Sequence, residues 1–302
     1  MNDAVKADRK AQVSLLVFGV FVASTSVIMI KASTINALLQ SSYRLLGAAV
    51  VLTPFFFREL RSRGRARGEK PRLGIVLPAL LPGLILGLHF IAWIYGARMT
   101  LAGNSTVIVN MSPVVMPLFA FFLLGAGPSR REIVGTAIAT LGVVLLAASD
   151  YRADSRHFTG DLYCFVAMLL FVLYLVLARK NNDSGRLWSY LVPLYYAGGI
   201  FCLAAALAFG VDPVAGITWT DVAMTAGLAL GPTIMGHSIM NWAMLRLPPQ
   251  VVSILNLGQF IFAGILAFFL FGEVPRILFY STSALIVAGA VIAILPRRPI
   301  PT

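Results

Sequence analysis

The chain has 302 residues, of which 59% are hydrophobic and only 12% charged, and its formal net charge is +12. A mean hydropathy of +0.85 lies well outside the usage of soluble globular domains. The basic excess reflects orientation in a bilayer rather than nucleic-acid binding, because the basic residues sit in the loops between apolar runs.

Ten apolar runs follow in chain order, at about 13–30, 38–57, 74–97, 104–124, 132–149, 161–178, 187–209, 222–245, 250–271 and 277–295. A helix needs about 20 apolar residues to cross ~30 Å of hydrocarbon, so each run can span. None shows the period-two alternation of a membrane barrel strand. The first run follows Lys6, Arg9 and Lys10 but is trailed by no cleavage site, so it reads as a retained helix carrying Ser24, Thr25 and Ser26. The second holds Arg44, roughly 10 Å from its end and within reach of the interface. In the third, His89 and Trp93 share a face, four residues apart. The fourth aligns Thr106, Asn110, Pro113 and Pro117, and Pro113 frees a backbone carbonyl one turn upstream. Tyr163 and Tyr174 lie three turns apart in the sixth. The eighth aligns Thr233, His237 and Asn241, and the ninth Ser253, Asn256 and Gln259. The fifth and tenth carry Gly135, Gly142, Ala284, Ala288 and Gly289, small residues suited to close helix packing in a scaffold. Cys164 and Cys202 have neither metal-ligand nor disulfide spacing and read as apolar packers.

Alternate assignment of the loops puts 18 basic residues on one side of the membrane and 5 on the other, with Arg44 inside a span. The positive-inside rule then places both termini in the cytoplasm.

The hexapeptide "AFFLLG" at 120–125 returns as "AFFLFG" at 267–272. The same offset of 147 lays Gly125–Pro128 on Gly272–Pro275 and Gly142 on Gly289, and an offset of 148 lays Lys31 on Arg179. Five spans per copy is an odd number, so the second copy enters the membrane from the opposite side. The expected fold is an all-α membrane protein of ten transmembrane helices in two inverted five-helix repeats, residues 1–149 and 150–302. Inverted pairs are a transporter architecture with a site near the midplane.

"GDLYCFVAMLLFVLYLVLAR" (160–179), "FGEVP" (271–275), "SPVVMPLFAFFLLG" (112–125) and "GHSIMNWAM" (236–244) resemble the EamA-type exporters of the drug/metabolite transporter superfamily, over both halves. Within them the likeness is to broad-specificity amino-acid exporters, including aromatic ones. The resemblance implies ten helices and export of small metabolites across the cell inner membrane. Two positions depart from the family pattern. Ala126 stands where a Glu is usual, although Glu273 is kept in the second copy, and Gln259-Phe260 replaces a frequent Glu-Pro.

Polar side chains within spans are costly and so point to a cavity or to another helix. The stripes of the third and fourth spans recur in the matching eighth and ninth. With Ser24, Tyr163 and Tyr174 of the first and sixth spans and Arg44 of the second, they give the expected substrate-binding set: Ser24, Arg44, His89, Trp93, Asn110, Pro113, Tyr163, Tyr174, His237, Asn241, Asn256 and Gln259. Amides and carbonyls suit an ammonium, Arg44 a carboxylate, and the rings varied side chains. Amino acids or similar small zwitterions are the expected cargo, with lipophilic cations as the alternative. The cations are disfavoured because all acidic residues lie in loops or near helix ends. An intramembrane enzyme would need paired aspartates, a Ser–His dyad or HExxH, and the sequence has none. No cofactor, metal or nucleic acid is expected. The partners are the substrate and the bilayer, and a monomer suffices for transport. Without a mid-span carboxylate, the expected driving force is the cytoplasmic concentration of the solute.

Overall fold

The computed structural model describes residues 3–67, 76–125, 127, 129–181, 187–244, 246–247 and 249–294, and every regular element among them is helical. In the first half these are α1 (Asp3–Ala32), α2 (Ala37–Arg67), α3 (Leu77–Met99), α4 (Ala102–Val109), α5 (Ser112–Leu124) and α6 (Arg130–Ala153). The second half contains α7 (Ser155–Asn181), α8 (Trp188–Ala208), α9 (Trp219–Leu228), a π-helical stretch Ala229–Gly236, α10 (His237–Met244), α11 (Pro249–Leu257), α12 (Gln259–Phe271) and α13 (Ile277–Ile294). Among the described residues, seven helices are long and apolar enough to cross a membrane.

The three other expected runs are helical but fall short for separate reasons. The start of α2 is diluted by Gln40, Ser41, Ser42 and Arg44, all buried. The run at 104–124 is broken into α4 and α5 at Asn110 and Met111. The apolar part of α13, Ile277–Ala293, is simply shorter. The outward surface is apolar, with Val50 60%, Phe122 78% and Phe269 77% exposed, as lipid contact requires.

Helix contacts come in exchanged pairs. α3 of the first half lies along α7 of the second, and α1 of the first half lies against α9, the π stretch and α10 of the second. Likewise α1 meets α12 while α7 meets α5. α2 pairs with α8 and α6 with α13. Without a hydrophobic force between helices in lipid, such pairs rely on close backbone approach. At α6–α13 a Cβ added to Gly289 would sit 2.5 Å from both Ala139 N and Gly135 O. At α3–α8 a Cβ on Gly83 would sit 2.5 Å from Leu194 O, and on Gly198 2.6 Å from Gly83 O. Cys164 is a packing atom of the same kind, its Sγ 2.7 Å from where a Gly96 Cβ would be.

One end of the bundle is tied by polar contacts that the spacing of the sequence does not reveal. Lys31, at the end of α1, pairs with Glu273 just past α12 at 2.6 Å, both about 15% exposed. Lys31 also donates to Thr100 O at 2.6 Å, and Glu273 accepts from Ala102 N at 2.7 Å, so the carboxylate caps α4. Thr100 in turn donates to buried Asp161 of α7. Asp221 of α9 accepts from Ser33 Oγ and from the backbone of Thr34 and Ile35, fastening the α1–α2 connection.

Gly289→Val should lower the melting temperature in detergent, by on the order of 1–3 kcal/mol of overpacking. Gly264→Ala, whose Cβ would meet nothing within 4 Å, should be near neutral. Glu273→Gln should cost about 1.5–3 kcal/mol, the worth of hydrogen bonds to a charged group. Adding Lys31→Met should recover part of it, because much of the cost is the unpaired ammonium.

Candidate functional site

Three irregularities in the helices converge on one place. The first follows from Pro113. Lacking an N–H, it cannot serve the carbonyl of Val109, and α4 ends at that residue with Asn110 as its cap. The second is Gly258, a poor helix former between α11 and α12. The third is the π stretch around Pro232. Pro232 has no N–H for Leu228 O, and the hydroxyl of Thr233 donates there instead, at 2.8 Å.

That hydroxyl also receives a hydrogen bond. Arg44 donates from Nε to Thr233 Oγ1 at 2.8 Å, across the two halves of the chain. Its guanidinium carbon lies 4.0 Å from the centroid of Phe90 and 5.6 Å from that of Trp93, both within cation–π range. Arg44 is only 2% exposed. It therefore does not reach the interface as its place in the sequence allowed; it turns inward. Its Nη1 is buried and has no hydrogen-bond partner among the described residues.

Around Arg44 is a cavity of about 70 Å³. His89, Phe90 and Trp93 of α3 form one wall, and Ala23 and Ser26 of α1, Phe171 of α7, Pro232 and Met240 form others. Val109, Asn110, Asn256 and Gln259 close it at the helix breaks. His89 and Trp93 stack with centroids 5.9 Å apart. His89 Nδ1 is 2.8 Å from Ala167 O, and since a carbonyl only accepts, the Nδ1 nitrogen carries a proton. Trp93 donates from Nε1 to Ser105 Oγ at 3.0 Å, which fixes the indole.

The amides form a cluster joining the halves. Asn110 Oδ1 accepts from Asn256 Nδ2 at 3.2 Å and from Gln259 Nε2 at 3.3 Å, while Gln259 also donates to Asn256 Oδ1 at 2.5 Å. Among the described residues lining the cavity, none is acidic.

The expected set is thus sorted by position. Arg44, His89, Trp93, Asn110, Asn256 and Gln259 meet at the cavity. Ser24 is buried but donates back to Phe21 O in its own helix, and its neighbours Ala23 and Ser26 line the wall instead. Tyr163 is 43% exposed and packs near Tyr95, on the outer surface. Tyr174 stands behind the wall, against Phe171. The side chains of Pro113, His237 and Asn241 lie outside the described residues. Phe90, Phe171 and Pro232 were not singled out in the sequence. Phe90 flanks His89, and Phe171 shares a face with Tyr174, three residues on, but apolar side chains in an apolar span give no contrast.

The geometry can be set beside known proteins. Two segments of the chain, residues 10–148 and 158–295, match the model of the EamA-like transporter family. The chain is 22% identical to YetK of Bacillus subtilis, an uncharacterized transporter, over 97% of this chain and 89% of that protein. It is 25% identical to an uncharacterized transporter of Archaeoglobus fulgidus, over 64% of this chain and 65% of that one. A solved crystal structure superposes with a TM-score of 0.62 at 16% identity, covering 94% of this chain and 97% of its own, and so shares the fold. With both halves matched and its helices suited to a bilayer, the chain is a multi-span membrane protein belonging to the EamA-like transporter family.

Proposed function

We propose that the chain is an exporter of amino acids or similar small zwitterionic metabolites, working by alternating access through the cavity at Arg44. In this reading ten spans form two inverted repeats, residues 1–149 and 150–302, in the cell inner membrane with both termini cytoplasmic. The observation that carries it is the meeting of the helix breaks at one cavity lined from both halves, where irregular backbone in a membrane is tolerated. At about 70 Å³ the cavity is far below the roughly 300–1,000 Å³ of ordinary ligand sites. It must widen to load. The tie between Lys31 and Glu273 keeps one end shut, so widening falls to the other, where the positive-inside count puts the cytoplasm.

The chemistry of the lining supports the cargo. A cation exporter would need a counter-ion, and the lining offers a fixed cation instead. With amides where the family often has an acid, export runs down the concentration gradient of the solute.

Counterflow into proteoliposomes, with a panel of labelled amino acids, tests transport directly. Asn256→Ala should lower exchange about tenfold while keeping the melting temperature near wild type, whereas Val287→Ala on α13 should leave exchange unchanged. Trp93→Ala is a poorer probe, since Trp93 is only 9% exposed and its loss would cost about 3–5 kcal/mol of stability. Equal effects of Asn256→Ala and Val287→Ala would argue against a site at the breaks. For topology, cysteines introduced at Ser155 and Asp212 should react with an impermeant reagent added outside intact cells. Cys164 and Cys202 are buried and should stay silent.

A further inference from the structure

We infer that Arg44 and Ser26 form an anion receptor in the cavity and that the cargo must carry a carboxylate, which binds Arg44 Nη1. The inference rests on the transport reading above and narrows it. Arg44 Nη1 and Ser26 Oγ are both buried, both belong to residues lining the same cavity, and both have no hydrogen-bond partner among the described residues. Arg44 and Ser26 are 2% and 1% exposed.

A guanidinium does not give up its proton, so burial cannot be relieved by neutralisation. A buried charge has to be paired to be tolerated. Yet no ion pair among the described residues involves Arg44, whose contacts are a neutral hydroxyl and two ring faces. Those contacts hold the group at fixed tilt and leave Nη1 as a donor, which is what a receptor for an incoming anion needs.

A carboxylate fits better than a phosphate. Among the described residues only one fixed cation faces the cavity, enough for a monoanion, and a phosphate dianion would call for more than one. One oxygen can accept from Nη1 and the other from the Ser26 hydroxyl, with no covalent step. Selectivity follows from the same atoms. An amine lacking the carboxylate would leave Nη1 unpaired and bring a second positive charge beside it.

The test has a transport arm and a binding arm. In counterflow, wild-type protein should exchange amino acids about tenfold or more faster than the amines left by removing their carboxyl group. Arg44→Gln should raise KM for the amino acids about tenfold or more, the size of one lost charge-assisted hydrogen bond, and Arg44→Lys should restore part of it. In the binding arm, benzoate should raise the melting temperature of the wild type in detergent and leave Arg44→Gln unmoved, while benzylamine should move neither. Exchange of amines as fast as amino acids, or an unchanged KM in Arg44→Gln, would overturn the receptor. If nothing is exchanged but benzoate still stabilises the wild type through Arg44, the transport reading fails and the receptor stands. If benzoate does not stabilise the wild type, the receptor fails. Should Arg44→Gln not fold, the comparison of benzoate with benzylamine on the wild type and Arg44→Lys decides alone.

Discussion

In hydrocarbon there is no water to satisfy an N–H or a carbonyl, and each one left unpaired costs several kcal/mol. Helix is therefore the default for this chain, and every departure from it has to be compensated by neighbouring groups. The departures lie where compensation is at hand. Thr233 supplies Leu228 O with the bond that Pro232 cannot make. Asn110 caps α4 above Pro113 and accepts amide protons from Asn256 and Gln259. The cavity is the place where the backbone rule is relaxed, and its polar chemistry derives from the repair.

Seen this way, Arg44 is held by a defect. Its Nε bond goes to a hydroxyl whose own position is set by a proline one residue earlier, on a helix from the other half. π-helical stretches often mark functional positions because they turn a side chain out of register with its helix. A residue with an N–H in place of Pro232 could bond Leu228 O itself and release the Thr233 hydroxyl that holds Arg44.

The sequence made the helices legible because apolar runs near the thickness of a bilayer admit few other structures. It also made Asn110, Asn256 and Gln259 legible, since a repeated polar stripe in lipid has to meet a partner. Tyr163 shows where that logic stops. Its spacing from Tyr174 is right for a shared face, but the face that α7 presents to α3 is chosen by Gly160 and Cys164, whose backbone approach at Gly96 is closer than any side chain allows. The packing then turns Tyr163 outward. Small residues fix orientation without leaving a polar signal. The tie from Lys31 to Glu273 was hidden for a different reason: the partners are 242 residues apart, and each alone reads as an ordinary charge at a helix end.

A fixed positive charge inside a bilayer sits in the transmembrane electric field, where one charge carried across 100 mV is worth about 2.3 kcal/mol. Arg44 stays with α2, but if the carrier works by the proposed alternating access, the insulating barrier would shift from one side of it to the other. Electrically, part of a charge would have moved. If the cargo is the proposed zwitterion, loading leaves the net charge of the site at +1, so empty and loaded forms would feel the same pull and the outward and return steps would cancel over a cycle. With an interior-negative potential, both forms would then be drawn toward the conformation that connects Arg44 to the cytoplasm. Voltage would set which way such a carrier waits, without driving what it carries.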